Sequence, residues 1–497
     1  MRVDRRRVAS LAVLVSVFAC TPSDMAATGG TGVAAASGAF GPLHGPAYGS
    51  SRHGSPHQPR YQPGAPGIGD SDFPTDGNGG YDVAHYALDI RYTPSSKQLS
   101  GLATVQATAT QGLSSFHLDL AGLRVGKVTV DGAAARFSHE GDELIVTPAR
   151  PIDRGAAFTT AVTYSGTPRP ERDPANLGTY GFIPTDDGAF VACQPNGAKT
   201  WFPGNDHPAD KATFDFTITV PEGTTAVANG EQSAAPVTSG GSTTYRWRER
   251  HPMATYLATA TIGKFELRQG TTPDGVPVVA AADPRFHASL GKLYTLSGEV
   301  TDYWSKVFGP YPFSSTGGVI DDYQAGYALE TQTRPLYGGF SPQDAIVAHE
   351  LAHQWFGDSL SISRWKDLWL NEGFATYAEW LWAEHKGGAT ADATFRAFHA
   401  RPASDPIWSY PPGRARPNDL FDQSVYIRGG MTLHALRKAI GDETFFELLR
   451  TWTATHRYGN VTTDEFVALA ERMSGKDLGP LFDAWLFEPR RPASPVT

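Results

Sequence analysis

Two histidines four residues apart, His349 and His353, bracket a glutamate in the run His349-Glu350-Leu351-Ala352-His353. On a helix, positions i and i+4 project from one face about one turn apart, so both imidazoles can reach a single ion. Neutral imidazole suits zinc, and Glu350 beside the first histidine is placed to take a proton from metal-bound water. Ile346, Val347, Leu351, Trp355 and Phe356 surround this polar trio with apolar residues. Three ionisable groups on a buried face need a compensating ion or partner. Eighteen residues separate His353 from Glu372 in Asn371-Glu372-Gly373-Phe374. Leu368, Trp369 and Leu370 lead in and Ala375, Tyr377, Ala378 and Trp380 follow, which predicts a second buried helix. Two imidazoles and one carboxylate leave the fourth zinc position open, the arrangement of a catalytic rather than a structural site. The expectation is one Zn2+ per chain on His349, His353 and Glu372, with Glu350 as base. Glu379, two turns past Glu372, is either a hydrogen-bond partner of a ligand histidine or an exposed helix acid.

The elements that must hold these groups fall into two periods. Tyr86, Leu88, Ile90 and Tyr92 alternate with polar neighbours, as do Phe214, Phe216, Ile218 and Val220, the period of a half-buried strand. Turn signals at Asp131-Gly132 and Gly141-Asp142 separate such runs, so residues 81–268 read as an all-β domain. Beyond it the period becomes helical. Leu290, Leu293, Val300, Tyr303, Trp304 and Val307 repeat at three to four residues and stop at Gly309-Pro310. Ser341-Pro342 is a start signal for the zinc helix. Thr462 with Glu465 forms a capping box, and Asp442 is a cap for the helix carrying Phe445, Phe446 and Leu449. The fold class is therefore α+β, with a mainly helical catalytic domain over 269–490 and a short tail over 491–497.

The chain of 497 residues carries a formal charge of -9, so there is no basic excess to displace counterions from nucleic acid. Hydrophobic residues make up 40%, enough for two cores. Arg2 and Arg5 to Arg7 precede a short apolar run from Val8 to Ala19, the layout of an export signal over residues 1–20. A run of twelve residues, ten of them apolar, falls short of the roughly 20 that cross a bilayer. Val17-Phe18-Ala19-Cys20 resembles a bacterial lipobox, so the expected destination is the cell surface through Cys20 or the extracellular medium, by the general or the twin-arginine route. Residues 21–80 are rich in Gly, Pro, Ser and Ala and read as a disordered spacer, with His44, His53 and His57 as solvated side chains rather than ligands. Cys20 and Cys193 are the two cysteines, too few for a disulfide framework or a cysteine-built zinc site.

With those residues in hand, the run HELAHQWFGDSLSISRWKDLWLNEGFATY resembles the metal-binding block of the aminopeptidase N family, peptidase family M1. Asp358 stands where many members have Asn. The likeness runs from the strand around Tyr81 to about Pro489. It implies a saddle-shaped β domain packed on a thermolysin-like catalytic domain. The family's Gly-Ala-Met-Glu-Asn signature corresponds here to Tyr327-Ala328-Leu329-Glu330-Thr331. The resemblance gives Glu330 the binding of the substrate α-amine, with Ala328 as a further substrate contact. Tyr426 in Tyr426-Ile427-Arg428-Gly429-Gly430 matches the tyrosine that donates to the oxyanion. Gln194, ahead of Trp201-Phe202-Pro203-Gly204-Asn205-Asp206, aligns with a β-domain residue that helps hold the amine. The implied activity is release of N-terminal residues from peptides with a free amine, by a monomer that touches a membrane only through a lipid at Cys20. Large C-terminal helical domains of other members have no counterpart after Phe482-Asp483-Ala484-Trp485-Leu486, so a more open cleft is expected. A thermolysin-type endopeptidase sharing the zinc site, or a surface binding module without turnover, are the alternatives.

Overall fold

The alternating strands form as their pattern predicts. Tyr86, Leu88, Ile90 and Tyr92 are buried along the strand Tyr81–Thr93, which pairs in parallel with Lys211–Pro221 and antiparallel with Gln98–Ala109. In the computed structural model, which describes residues 60–173 and 177–494, these strands are the centre of an eight-stranded sheet. Its core is aromatic: Tyr86 stacks on Phe214 at 4.8 Å and meets Phe202 edge-on at 5.5 Å. Asp131 and Gly132 both take positive φ, 49° and 77°, the primed turn that suits the twist of a hairpin. The export segment, Cys20, His44, His53 and His57 lie outside the described residues.

Residues 60–80 correct the expectation of a spacer reaching residue 80. Besides a two-residue strand pairing and the Phe73 ring against Trp365, polar side chains dock this arm, which leaves little apolar periodicity. Asp70 is 1% exposed and its carboxylate accepts from the backbone N–H of Trp365 at 3.0 Å and of Asp72 at 3.0 Å. His207 Nδ1 accepts from the Ala209 N–H, so its Nε2 carries the proton and donates to Asp70 at 3.3 Å. Burial alone would raise the Asp70 carboxyl; the donors from His207, Trp365 and Asp72 outweigh it and hold it down to about 2. One carboxylate thus joins the arm, the β domain and the catalytic domain. A folded value below the unfolded one stabilises above about pH 4 and is lost as pH falls through 2. Asp70→Asn is expected to cost about 2 kcal/mol at pH 7. In urea melts, the gap between variant and parent should narrow below pH 4 and close near pH 2; a gap independent of pH would contradict this.

The β domain gives way to the catalytic domain at about residue 265, slightly earlier than 268. The strand Glu266–Thr271 pairs with Pro277–Ala282 and so belongs to a second sheet, which continues through Thr316–Asp321 and Leu336–Gly338 to the edge strand Ala328–Leu329. The catalytic domain is therefore helices packed on a five-stranded sheet. Helix α1, His287–Phe308, ends at Gly309 and lies against this sheet. Trp304 Nε1 donates to Ala348 O at 3.1 Å, fixing α1 on α2, Asp344–Ala352. Pro342 precedes α2, which begins two residues later with no side-chain cap. Helix α3, Trp369–His385, is followed by α4, Ala391–His399, capped by Thr390. Next come α5, Gln423–Ile440, α6, Asp442–Thr455, and α7, Thr463–Ser474, whose capping box of Thr462 and Glu465 is formed. Asp442 does not cap α6; it is the first residue of that helix, and its carboxylate accepts from Arg437 at 2.7 and 2.9 Å.

Helices α3 and α5 touch backbone to backbone. A Cβ on Gly373 would sit 2.8 Å from the Gly429 carbonyl carbon, and one on Gly429 would sit 2.9 Å from Gly373 Cα. Glycine at both positions lets Glu372, one residue before the contact, and Tyr426, three residues before it, come to one place. Among the described residues no helix is long and apolar enough to cross a membrane.

Candidate metal centre and active site

His349 lies in the last turn of α2 and His353 at its C-cap, where the helical backbone continues. Each imidazole is oriented by its Nδ1. That of His349 meets Glu379 Oε1 at 2.7 Å, and that of His353 donates to Phe356 O at 3.0 Å. Glu379 is thus the partner of a ligand histidine rather than a free helix acid. With each Nδ1 engaged, each Nε2 points at Glu372 Oε2, both at 3.4 Å. Tetrahedral bonds of about 2.05 Å put neighbouring donors about 3.3 Å apart, so the spacing of these atoms is that of ligands to one zinc. The electrostatics agree. Burial works against charged imidazoles at both histidines, yet Glu372, joined by Glu379 at His349 and by Glu330 at His353, outweighs it and holds both up, so the cluster attracts positive charge. Glu330, Glu350 and His353 also bring one donor atom each within 4.8 Å of one another. The trio of His349, His353 and Glu372 is the better zinc site, because both its imidazoles present oriented lone pairs.

Glu350 is buried beside the trio. Burial pushes its carboxyl up to about 8, against the pull of His349 and His353. Tyr426, near the start of α5, stacks on His349 at 6.3 Å. Its hydroxyl is raised well above the ordinary phenol range by burial first and then by Glu372, Glu330 and Glu350, so it remains an O–H donor. Glu330 follows the edge strand Ala328–Leu329 and is 2% exposed. Gln194 Nε2 reaches it from the β domain and donates to Oε1 at 3.0 Å. The structure therefore gathers Gln194, Glu330, Glu350, Tyr426 and the ligand trio at one centre, with Ala328 on the edge strand beside them.

The departures in the 327–331 segment have local explanations. Tyr327 turns toward the β domain, its hydroxyl donating to Thr179 O at 2.8 Å and its ring meeting Phe190. Thr331 is spent inside a turn, its hydroxyl donating to Arg334 O while Arg334 N–H donates to Thr331 O at 2.8 Å. Asp358 is fully buried, and burial raises its carboxyl well above the usual range, with Glu330 adding to the rise and Lys211 opposing it. Two supporting residues escaped sequence reasoning. Gln354 Nε2 donates to Glu330 O at 3.0 Å while its Oε1 accepts from Thr333 N at 2.7 Å. Lys211 Nζ donates to the carbonyls of Asp358 and Ser359 at 2.7 and 2.9 Å, tying the β domain to the loop after α2. No short-range pattern marks either residue; both act through space.

A two-domain body with this site is the architecture of a zincin-type peptidase, and the comparisons agree. Residues 341–485 match the Peptidase family M1 domain and residues 83–257 the Peptidase M1 N-terminal domain. The M1 zinc metallopeptidase from Deinococcus radiodurans superposes with a TM-score of 0.80 at 32% identity, over 87% of this chain and 99% of that one. A mutant of that enzyme bound to the substrate Tyr-Ser-Ala gives 0.78 at 31% identity, over 86% of this chain and 100% of that one. Aminopeptidase N of Streptomyces lividans is 26% identical over 81% of this chain and 50% of its own length. Aminopeptidase M1 of Arabidopsis thaliana is 29% identical over 60% of this chain and 36% of its own length. The chain thus spans about a third to a half of these two longer relatives. It belongs to peptidase family M1.

Proposed function

We propose that the protein is a zinc-dependent aminopeptidase that removes N-terminal residues from peptides. The observation that carries this reading is the buried Gln194–Glu330 pair, which places an acid reached by an amide donor next to the ligand trio. A carboxylate there selects a protonated amine by a charge-assisted bond and sets cleavage one residue from the N-terminus. When bound, zinc supplies Lewis-acid chemistry, polarising the scissile carbonyl and acidifying water. Glu350 takes the proton from the attacking water on its carboxylate and delivers it to the leaving amine. The Tyr426 hydroxyl donates to the carbonyl oxygen as negative charge develops there. Glu330 accepts from the substrate ammonium while Gln194 fixes the carboxylate's orientation. The outer side of the strand Ala328–Leu329, paired on its other side with Leu336–Gly338, offers backbone groups to an extended peptide. The similarity to a neighbour bound to Tyr-Ser-Ala supports a peptide as substrate. Arg2 and Arg5 to Arg7 ahead of the apolar run support an exported enzyme, surface-held at Cys20 or free.

Turnover of an aminoacyl amide and of its N-acetyl form separates this reading from an endopeptidase. The free amine should be preferred by about 10²-fold or more, a charge-assisted contact at a buried site. Glu330→Gln should remove most of that preference while zinc content holds. Equal turnover of the two substrates by the parent enzyme would make it an endopeptidase.

A further inference from the structure

Tyr256 is the middle residue of the short turn Thr255–Leu257 that ends the long strand Ser242–Ala254. Its ring is 1% exposed and meets Trp365 edge-on at 5.4 Å. Its hydroxyl is buried and, among the described residues, has no hydrogen-bond partner. The turn is bolted in place from both sides. Thr255 Oγ1 donates to Asp206 Oδ1 at 2.8 Å. Asn229 Nδ2 donates to Leu257 O at 2.9 Å and also to Gln332 O at 2.7 Å, two residues past Glu330. One amide thus joins the Tyr256 turn to the segment that carries Glu330, and Gln354 grips the other side of that segment. After burial, Glu330 acts most strongly on the hydroxyl, followed by Asp358 and Glu372, and all of them keep it protonated. An O–H donor sealed from water needs an acceptor, and the segment tied to its turn through Asn229 carries the Glu330 carboxylate, whose Oε1 accepts from Gln194. An ionised carboxyl has about four acceptor positions, so Gln194 and a substrate ammonium leave room for a phenol.

We propose that Tyr256 is a positioning residue for amine recognition: its phenol donates to Glu330 in the substrate complex and, with Gln194, holds that carboxylate toward the α-ammonium. The proposal rests on the assignment of Glu330 to the substrate amine. It makes the β domain responsible for two of the contacts that orient the anchor, one amide and one hydroxyl.

The test is Tyr256→Phe in the full zinc-loaded chain, assayed on an aminoacyl amide and on its N-acetyl form. KM for the free-amine substrate should rise about tenfold, the loss of one hydrogen bond to a charged group, with kcat changed far less. Turnover of the acetylated form should be unaffected, so the preference for a free amine falls. In the Glu330→Gln background the same substitution should add nothing. An unchanged preference in Tyr256→Phe, or an equal loss on both substrates, overturns the proposal and leaves Tyr256 as packing. If Tyr256→Phe folds poorly, Tyr256→Met serves: a donor-free side chain flexible enough to fill the space, it should show the same loss of preference, and a preference like that of the parent overturns the proposal. A parent enzyme that cleaves both substrates equally would instead remove the Glu330 reading itself.

Discussion

Glu350→Gln is expected to lower kcat by about 10² to 10⁴-fold, the usual contribution of a positioned general base, while KM and zinc content stay near those of the parent. The amide keeps the size and much of the hydrogen bonding of the acid but cannot accept a proton. Glu350 is buried on α2, and an amide of the same size leaves the packing around it intact. Steady-state kinetics with metal analysis on the same preparation make the measurement. Retained zinc also distinguishes the two groupings of donors in the structure. Loss of metal would move the ion toward Glu330, Glu350 and His353 and away from His349, His353 and Glu372. A change confined to KM would mean that Glu350 binds substrate rather than moving a proton.

Glu372→Ala is expected to empty the metal site and reduce turnover on the order of 10⁴-fold, to that of the chelated parent. Glu372 makes its contacts with His349 and His353, and alanine suits the helical backbone of α3, so the helix itself should persist. Removing the carboxylate leaves two neutral imidazoles, too few donors and too little negative charge for a tight zinc site. Atomic absorption on the dialysed variant reads the metal, and thermal melts with and without added zinc read the linkage. The parent should gain about 3 kcal/mol at free zinc a hundredfold above Kd; the variant should gain almost nothing. A variant that keeps full zinc and activity would remove Glu372 from the ligand set.

The zinc trio was readable because its logic is local. Histidines at i and i+4 need no knowledge of the fold, and Glu372 announces itself by an apolar helix on either side. The orientation of the imidazoles was half readable, since Glu379 lies at a sensible distance along α3 but nothing short of the structure chooses between a partner of His349 and a solvated acid. Glu330, Tyr426 and Gln194 took their roles from family likeness; as residues they are a loop acid, a core tyrosine and a buried amide. Tyr256, Gln354 and Asp70 were illegible because their partners lie far away in the chain, 295 residues in the case of Asp70 and Trp365. The catalytic sheet was missed for a different reason. Pro277–Ala282 and Thr316–Asp321 are buried on both faces, so the alternation that marks a half-buried strand never appears. The arm at 60–80 reads as spacer in the sequence because most of what holds it, polar side-chain bonds and backbone bonds such as Gln62 N–H to Gly112 O, leaves no periodicity.

The glycine contact between α3 and α5 has a consequence for how this site can change. With no side chain between the helices to cushion a displacement, Glu372 and Tyr426, the proposed third ligand and oxyanion donor, are expected to move as one stiff unit. The proposed amine anchor Glu330 is different, since part of what orients it reaches over from the β domain at Gln194. Breathing of the cleft, and drift of the enzyme toward new N-terminal residues, can therefore be absorbed where the two domains meet. The bond-breaking half of the site is spared, so selectivity can evolve while the chemistry stays fixed.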